Sequence, residues 1–166
     1  MQIIKAPDIR LRTKTKRVNK ITPELLKLAG EMIEFASSFK DTEGVGLSTN
    51  QIGRTERFFV AKIGKVFMPF FNPEIHVFSP KKKVFFEGCL SIPDYYGETK
   101  RPISVAVSYQ NEKGEKISKT LRGVASWIFQ HEVDHMNGIL FMDRVLESKG
   151  KVFKFIGKDK TGSDVF

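Results

Sequence analysis

Apolar residues recur at helical spacing in the first part of the chain, after a polar and basic N-terminal stretch. Thr22 followed by Pro23 is typical of a helix N-cap and first turn. Gly30 lies inside the pattern and lowers the stability of the helix by about 1 kcal/mol relative to alanine. Burial of the apolar face offsets this loss. The spacing predicts a first helix over roughly residues 23–39. Its buried face is expected to contain Leu25, Leu26, Ala29, Met32, Ile33, Ala36 and Phe39.

The middle of the chain is rich in β-branched and aromatic residues, which favour strands. Gly114 supplies the permissive backbone of a hairpin turn. From about Leu121 the period becomes helical, and Gly138 is placed to end that helix. This order indicates a single α+β domain over residues 1–166, with a mostly antiparallel sheet packed around the second helix. The predicted strands are 57–63, 65–79, 82–88, 103–110 and 115–122.

Composition and charge narrow the class of protein. The chain has 166 residues, of which 40% are hydrophobic and 28% are charged, and these are ordinary values for a globular domain. No apolar run approaches the roughly 20 residues of a membrane helix, and the N-terminal stretch is too polar for a secretory signal. We therefore expect a cytoplasmic protein, or an organellar one from which a transit peptide has been removed. The net charge of +9 predicts loose attraction to a polyanion such as the ribosome.

The stretch QHEVDHMNG, residues 130–138, carries the candidate chemistry. His131 and His135 lie four residues apart, so on a helix they share one face and can reach one metal ion. That face is apolar near Val124 and Trp127, where burying two imidazoles without partners is costly. A catalytic metal site usually takes three protein ligands and leaves one position for water. A third ligand must therefore come from elsewhere in the chain.

Four residues bear on the choice of the third ligand. Phe141 stands where one class of zinc proteases has a third histidine, and Glu147 follows the helix too closely for the class that uses a downstream glutamate. His76 lies in the middle of a predicted strand, where a sheet-surface histidine is the favoured interpretation. Cys89, the only cysteine, follows Gly88 at the end of a strand. We favour Cys89, since a thiolate with two histidines and one open position is a known catalytic arrangement.

Three motifs in this order resemble the peptide deformylase family. They are GVGLSTNQIG (44–53), EGCLS (87–91) and HEVDH (131–135). The resemblance covers essentially the whole chain, and three motifs in register make a chance match improbable. The first motif departs from the family's pattern, which usually has two alanines and often a proline or threonine before the glutamine. This chain has Ser48, Thr49 and Asn50 there, so the local packing must differ.

The resemblance implies a metal-dependent hydrolase that releases formate from the N-formylmethionyl end of nascent chains. Glu132 is the implied general base, and then the acid that protonates the leaving amine. The implied donors to the developing oxyanion are the side-chain amide of Gln51 and the backbone N–H of Leu90. The implied ion is Fe(II), with Zn(II), Ni(II) or Co(II) as substitutes. Its ligands are Cys89, His131 and His135.

The same resemblance assigns residues to substrate binding. Gly44 and Gly46 let their loop lie close to the substrate chain. A peptide can add to such a strand edge through main-chain hydrogen bonds, which tolerates many sequences. The methionine pocket is implied to contain Val45, Val124 and Trp127. For Val124 and Trp127 the alternative is that they belong to the plain core of the helix.

Glu87 and Arg101 are candidates to orient the metal ligands, and a surface ion pair accounts for either residue equally well. We expect a monomer that acts on nascent peptides and does not enter a membrane. Two other functions stay open from the sequence. One is a metallopeptidase that uses the same HExxH chemistry. The other is an RNA- or ribosome-binding module with a vestigial metal site, which rests on charge alone.

Overall fold

The computed structural model of the chain describes residues 1–39 and 45–166. The helices are Pro23–Ser37 (α1), Gly123–Met136 (α2) and Phe141–Ser148 (α3). The strands are Gly46–Ser48 (β1), Phe58–Ile63 (β2), Val66–Phe78 (β3), Lys82–Cys89 (β4), Ile92–Pro102 (β5), Ser104–Gln110 (β6), Lys116–Arg122 (β7), Val152–Lys154 (β8), Gly157–Lys158 (β9) and Asp164–Val165 (β10).

The strands form one larger and two smaller sheets. The larger sheet has five strands in the order β1-β2-β3-β6-β7, and a second sheet has the order β4-β5-β8. Strands β9 and β10 pair with each other as a hairpin. Neighbouring strands within these sheets run antiparallel. The predicted α+β class with a mostly antiparallel sheet is confirmed.

The five-stranded sheet is covered on both faces by helices. Strand β2 reads Phe-Phe-Val-Ala, and because side chains alternate across a strand, neighbouring residues enter different cores. Phe59 packs with Phe129 of α2 in one core. Phe58 packs with Met32 of α1 in the other. Burial on both faces explains why β2 is a continuous apolar run rather than an alternating one. Helix α2 thus lies directly against the central sheet.

The predicted helices agree with the structure to within a few residues. At the start of α1, the Thr22 hydroxyl accepts a hydrogen bond from the Leu25 N–H. Gly138 follows the end of α2 with φ of +74°, and a Cβ there would collide with the Arg12 backbone. Gly114 has φ of +78° in its hairpin turn, as predicted. Within the described ranges, no helix combines the length and apolar character needed to cross a membrane.

The sequence patterns missed several elements. Strand β5 carries Pro93, Asp94 and Gly97, which are typical of turns, yet it pairs with β4 along most of its length. Gly97 is required there because a Cβ would collide with Val145 of α3. Helix α3 and strands β1, β8, β9 and β10 are short, and short elements carry weak periodicity. These missed elements matter because several of them border the candidate site.

Candidate metal centre and catalytic cleft

Two histidines of α2 and a cysteine that is distant from them in sequence meet where the end of β4 approaches α2. The ligand atoms of Cys89, His131 and His135 all lie within 4.8 Å of one another. The Cys89 Sγ is 3.2 Å from the His135 Nε2. All three residues are buried. The i, i+4 spacing on α2 puts both imidazoles on one face, and the end of β4 brings the thiol to that face.

The donor atoms of this cluster fit a divalent transition metal. The Nδ1 of His131 lies 2.8 Å from Glu87 Oε2, which leaves its other ring nitrogen available. The Nδ1 of His135 is buried and has no hydrogen-bond partner in the described part of the chain. A thiolate and two imidazoles are the ligand types that zinc and iron accept in proteins. Among the described residues, His76 stays apart from this cluster, with its Nε2 2.6 Å from the Ser108 hydroxyl.

Glu87 and Arg101 belong to a buried ionic network behind the cluster. Glu87 is 0% and Arg101 is 4% exposed, so the alternative of a surface ion pair is wrong. The Arg101 guanidinium donates to Glu87 Oε2 at 3.0 Å and to Asp134 Oδ2 at 2.8 Å. Burial alone raises the pKa of Glu87, but the hydrogen bond with His131 and the charge of Arg101 outweigh it and lower that pKa to about 2. Glu87 is therefore a carboxylate that holds the His131 ring.

Asp134 and Arg144 extend this network and were not predicted from the sequence. Arg144 donates to Asp134 Oδ1 at 2.7 Å, so the network joins β4, β5, α2 and α3. Asp134 lies inside HEVDH, one residue before a ligand candidate, and that position was the available signal. No local pattern in the sequence identifies Arg144, because its partner is brought to it by the packing of α3.

Glu132 points into the space beside the cluster and is held there by β1. The Ser48 hydroxyl donates to Glu132 Oε2 at 2.7 Å, and it lies 3.2 Å from the Glu132 backbone oxygen. Burial raises the pKa of Glu132 above its usual value, although the charge of His131 and the Ser48 hydrogen bond oppose that rise. A Cβ on Gly46 would collide with the Glu132 carboxylate. Glycine at position 46 is thus needed for the carboxylate to lie against the strand.

Gln51 connects the first motif to the cysteine motif. Its Oε1 accepts from the Ser48 N–H at 2.9 Å. Its Nε2 donates to the Ser91 hydroxyl at 3.0 Å and to Cys89 Sγ at 3.4 Å. Leu90 follows Cys89 directly and is buried. The amide of Gln51 and the backbone of the EGCLS segment therefore lie on the same side of the cluster.

The larger side chains of the first motif are accommodated by hydrogen bonds. Thr49 Oγ1 donates to the Glu56 backbone oxygen. Asn50 Nδ2 donates to the backbone oxygen of His135. Both donors are buried and each has a backbone acceptor, whereas the Asn50 Oδ1 has no partner among the described residues. The departure from alanine therefore ties this segment to α2 through Asn50 and to the residues before β2 through Thr49.

A cavity of about 680 Å³ opens beside the cluster, a size typical of ligand sites. Ile128 lines it and was not predicted to do so. Val124 does not line it and is 60% exposed, because it lies in the first turn of α2, at the surface. The alternative that Val124 belongs to the helix core is wrong, and its contact with the methionine side chain stays a prediction. Gly44 lies outside the described residues. The predicted residues that line it are Val45, Gly46, Gln51, Cys89, Leu90, Trp127, His131 and Glu132.

The fold and the site together define a class of protein. A helix carrying HExxH, a buried cysteine that completes a three-ligand cluster and an adjoining cleft are the features of a metal-dependent hydrolase. The chain belongs to the polypeptide deformylase family, whose family model matches residues 1–151. Membership confirms that the chain is an enzyme, and it does not favour the metallopeptidase alternative.

Similar proteins support the same family. The chain is 41% identical to the peptide deformylase of Thermotoga petrophila over 84% of this chain and 83% of that one. It is 40% identical to the peptide deformylase of Mesorhizobium japonicum over 95% and 93%. The crystal structure of the Thermotoga maritima peptide deformylase has a TM-score of 0.82 and 40% identity, covering 86% of this chain and 95% of that chain. The Plasmodium falciparum peptide deformylase in complex with an inhibitor has a TM-score of 0.79 and 36% identity, covering 89% and 93%.

Proposed function

We propose that this chain removes the formyl group from N-formylmethionine at the N-terminus of nascent polypeptides and releases formate. The observation that carries the proposal is the convergence of Cys89, His131 and His135 within 4.8 Å of one another, in a chain of the polypeptide deformylase family. Glu132 lies in the same cleft. These groups are sufficient for metal-assisted hydrolysis of an amide.

The roles of the residues follow from their positions. A divalent ion held by Cys89, His131 and His135 would supply a Lewis acid and a bound water of lowered pKa. Glu132 takes a proton and returns it to the leaving amine, and a raised pKa suits a group with both tasks. Gln51 Nε2, which donates to Cys89 Sγ at 3.4 Å, and the backbone N–H of Leu90, the residue after Cys89, are proposed to donate to the developing oxyanion. Glu87 and Arg101 orient the His131 ring.

The substrate peptide is proposed to bind between two strand edges. Strand β1 is an edge of the five-stranded sheet, and β4 is an edge of the three-stranded sheet. Both contribute residues to the cleft. Main-chain bonds to such edges tolerate many peptide sequences, as an enzyme of nascent chains requires. Val45, Trp127 and Ile128 supply apolar surface for the methionine side chain, and contact with Gly44 stays a prediction.

Fe(II) is the proposed working ion, with Zn(II), Ni(II) or Co(II) able to substitute, because one thiolate and two imidazoles suit all four. Metal analysis of protein purified without oxygen tests this choice.

We further propose a single catalytic domain over residues 1–166, a monomer located in the cytoplasm. The net charge of +9 supports a loose electrostatic association with the ribosome.

Formate release from formyl-Met-Ala-Ser tests the proposed function. The wild-type protein should release formate, and Glu132→Gln should lower kcat by roughly 10²–10⁴-fold, the contribution of general acid–base catalysis. Metal content should stay near that of the wild type, because the variant keeps all three ligands. Casein cleavage by the same preparation is the comparison for a metallopeptidase. Wild-type turnover by Glu132→Gln, or cleavage of casein without formate release, would contradict the proposal.

A further inference from the structure

A second cavity lies against a different face of α2 from the one that borders the catalytic cleft. It has a volume of about 820 Å³, which is within the range of small-molecule sites. Parts of β3, β5 and α3 line it together with four residues of α2: Gln130, Val133, Asp134 and Asn137. The second cavity and the cleft share no lining residue. A ligand in the second cavity therefore leaves the cleft open to a peptide.

Positive charge is in excess in the lining of the second cavity. Its carboxylates already form ion pairs with arginines, and they are Glu74, Asp134 and Glu147. Three lining cations form no ion pair with any described residue, and they are Arg57, Lys82 and Lys100. The second cavity therefore attracts anions, because its own carboxylates are already neutralised.

Arg57 is a half-buried cation whose hydrogen-bond partners are uncharged. Its Nη1 donates to the Asn137 Oδ1 at 3.0 Å and to the backbone oxygen of Met136 at 3.3 Å. Its Nη2 donates to the backbone oxygen of Pro73 at 3.4 Å. Burial lowers the pKa of Arg57, and the attraction of Glu74 does not offset it. A cation that is partly removed from water without a charged partner is stabilised by a bound anion.

Lys82 and Lys100 are neighbours on two paired strands. Lys82 of β4 lies opposite Pro102 of β5, and Lys100 of β5 lies opposite Val84 of β4. The two lysines are therefore a diagonal pair on one face of the sheet, about 7–8 Å apart. Like charges at this separation repel each other, and an anion with several oxygens relieves that repulsion. Phosphate groups fit this requirement, and lysine is one of their usual ligands in proteins.

An exposed aromatic ring lies beside these lysines. Phe78 lines the second cavity and is 54% exposed. Phe78 ends β3 and Lys82 begins β4, so the ring and the ammonium group lie on either side of one short turn. An aromatic face next to lysines is the combination that binds a nucleotide, because the base stacks on the ring while the phosphates contact the cations.

We propose that the second cavity binds a nucleoside polyphosphate, with its base on Phe78 and its phosphates on Lys82 and Lys100. Arg57 contacts Pro73, which lies five residues before Phe78 on β3, or roughly 16 Å along an extended strand. The chain of phosphates extends from the lysines toward Arg57 at the other end of the second cavity. This site is separate from the metal centre, and the inference does not depend on the proposed deformylation.

Isothermal titration calorimetry of the metal-loaded protein with ATP and with GTP tests the site. One nucleotide should bind per chain, with an affinity that falls as salt is added. Lys82→Ala and Lys100→Ala should each raise the Kd for ATP by about threefold to tenfold, the effect of one partly exposed ionic contact. Lys83→Ala is the matched control, because Lys83 adjoins Lys82 and carries the same charge but does not line the second cavity.

A second pair of variants tests the contact with the base. Phe78→Ala should raise the Kd for ATP by about threefold to tenfold, the effect of one aromatic contact. It should leave the Kd for inorganic tripolyphosphate unchanged, because that anion has no base. Val77→Ala is the matched control, since Val77 is 60% exposed on the same strand and does not line the second cavity. An equal Kd for ATP in Phe78→Ala and Val77→Ala would overturn the assignment of a nucleotide.

Three further outcomes would overturn the inference. The first is the absence of binding of ATP and GTP to the wild type at millimolar concentration, or an equal Kd for ATP in Lys82→Ala, Lys100→Ala and Lys83→Ala, since net charge alone would then explain any binding. The second is loss of ATP binding in Cys89→Ala, which should bind ATP like the wild type because the second cavity does not include the metal ligands. The third is much tighter binding of a single-stranded oligonucleotide that the same lysine variants weaken, which would identify an RNA groove instead.

Discussion

At the scale of single residues, the contact between Ser48 and Glu132 distinguishes this chain from the usual pattern of its first motif. The Ser48 hydroxyl is buried and donates to the Glu132 carboxylate at 2.7 Å. An alanine at this position has no such donor. A hydrogen bond to a charged group contributes about 1.5–3 kcal/mol, so the hydroxyl is able to hold the carboxylate in one orientation.

Ser48→Ala should therefore lower kcat for formyl-Met-Ala-Ser by about 10-fold to 100-fold, the rate equivalent of that hydrogen bond. The metal content should be unchanged, because no ligand is touched. Ser126→Ala is the matched control, since Ser126 is a buried serine of α2 that does not line the cavity. Identical kcat values for Ser48→Ala and the wild type would show that the hydroxyl does not position Glu132.

The choice of Cys89 as third ligand makes a second prediction at this scale. Cys89→Ala should leave the purified protein with little metal, because two imidazoles alone hold a divalent ion weakly. His76→Ala should keep the full metal content, since His76 bonds to Ser108 on the sheet. The number of metal ions per chain, measured for both variants prepared side by side, shows which residue is the third ligand. The reverse pattern would assign the ligand to His76.

At the scale of elements, the end of α2 depends on a left-handed backbone. Gly138 and Gly114 have nearly the same φ, +74° and +78°. A Cβ on Gly138 would meet the Arg12 backbone, whereas one on Gly114 would meet open space. Alanine substitution at Gly114 therefore measures the energetic cost of the backbone conformation alone. The same substitution at Gly138 adds the cost of a steric collision.

Gly114→Ala should lower the free energy of unfolding by roughly 1–2 kcal/mol, the cost of the left-handed conformation for a residue with a Cβ. Gly138→Ala should lower it by a further 1–3 kcal/mol or so, because overpacking adds to the same backbone cost. Urea unfolding of both variants measures the difference. Equal losses would mean that the segment around Arg12 moves aside without cost.

At the scale of the whole molecule, the buried ionic network joins four elements and makes stability depend on pH. The pKa of Glu87 is lowered to about 2 in the folded protein, whereas a glutamate in an unfolded chain titrates near 4.3, roughly. Between these values the unfolded chain binds more protons than the folded one. The stabilisation from Glu87 is therefore fully present above about pH 4.3 and is lost as the pH falls toward 2.

In metal-free protein, the free energy of unfolding should consequently decrease as the pH is lowered through this window. Urea unfolding at a series of pH values gives the slope, and the carboxyl carbon of Glu87 in an NMR titration gives the midpoint of its protonation. A Glu87 midpoint at or above the value for an unfolded chain would contradict this account of the network.

The sequence by itself determined the parts of this protein that depend on local spacing. Periodic apolar residues predicted α1 and α2, and the strand patterns predicted β2, β3, β4, β6 and β7 to within a few residues. The HEVDH spacing put His131 and His135 on one face, because the helical repeat alone dictates that geometry. The absence of a suitable ligand near this helix led to Cys89, and three motifs in register indicated the family.

Only the tertiary structure decided which distant groups meet. Pairing of β4 with β5 and packing of α3 created the network of Glu87, Arg101, Asp134 and Arg144. Glu87 and Arg101, which the sequence allowed to be a surface ion pair, are buried in this network and hold the His131 ring. The start of α2 lies at the surface, which leaves Val124 exposed rather than in the helix core. Phe155 and Phe166 reach the cleft because the C-terminal segment packs back onto β4 and β5. Contacts between residues far apart in sequence follow from packing, and local periodicity does not encode them.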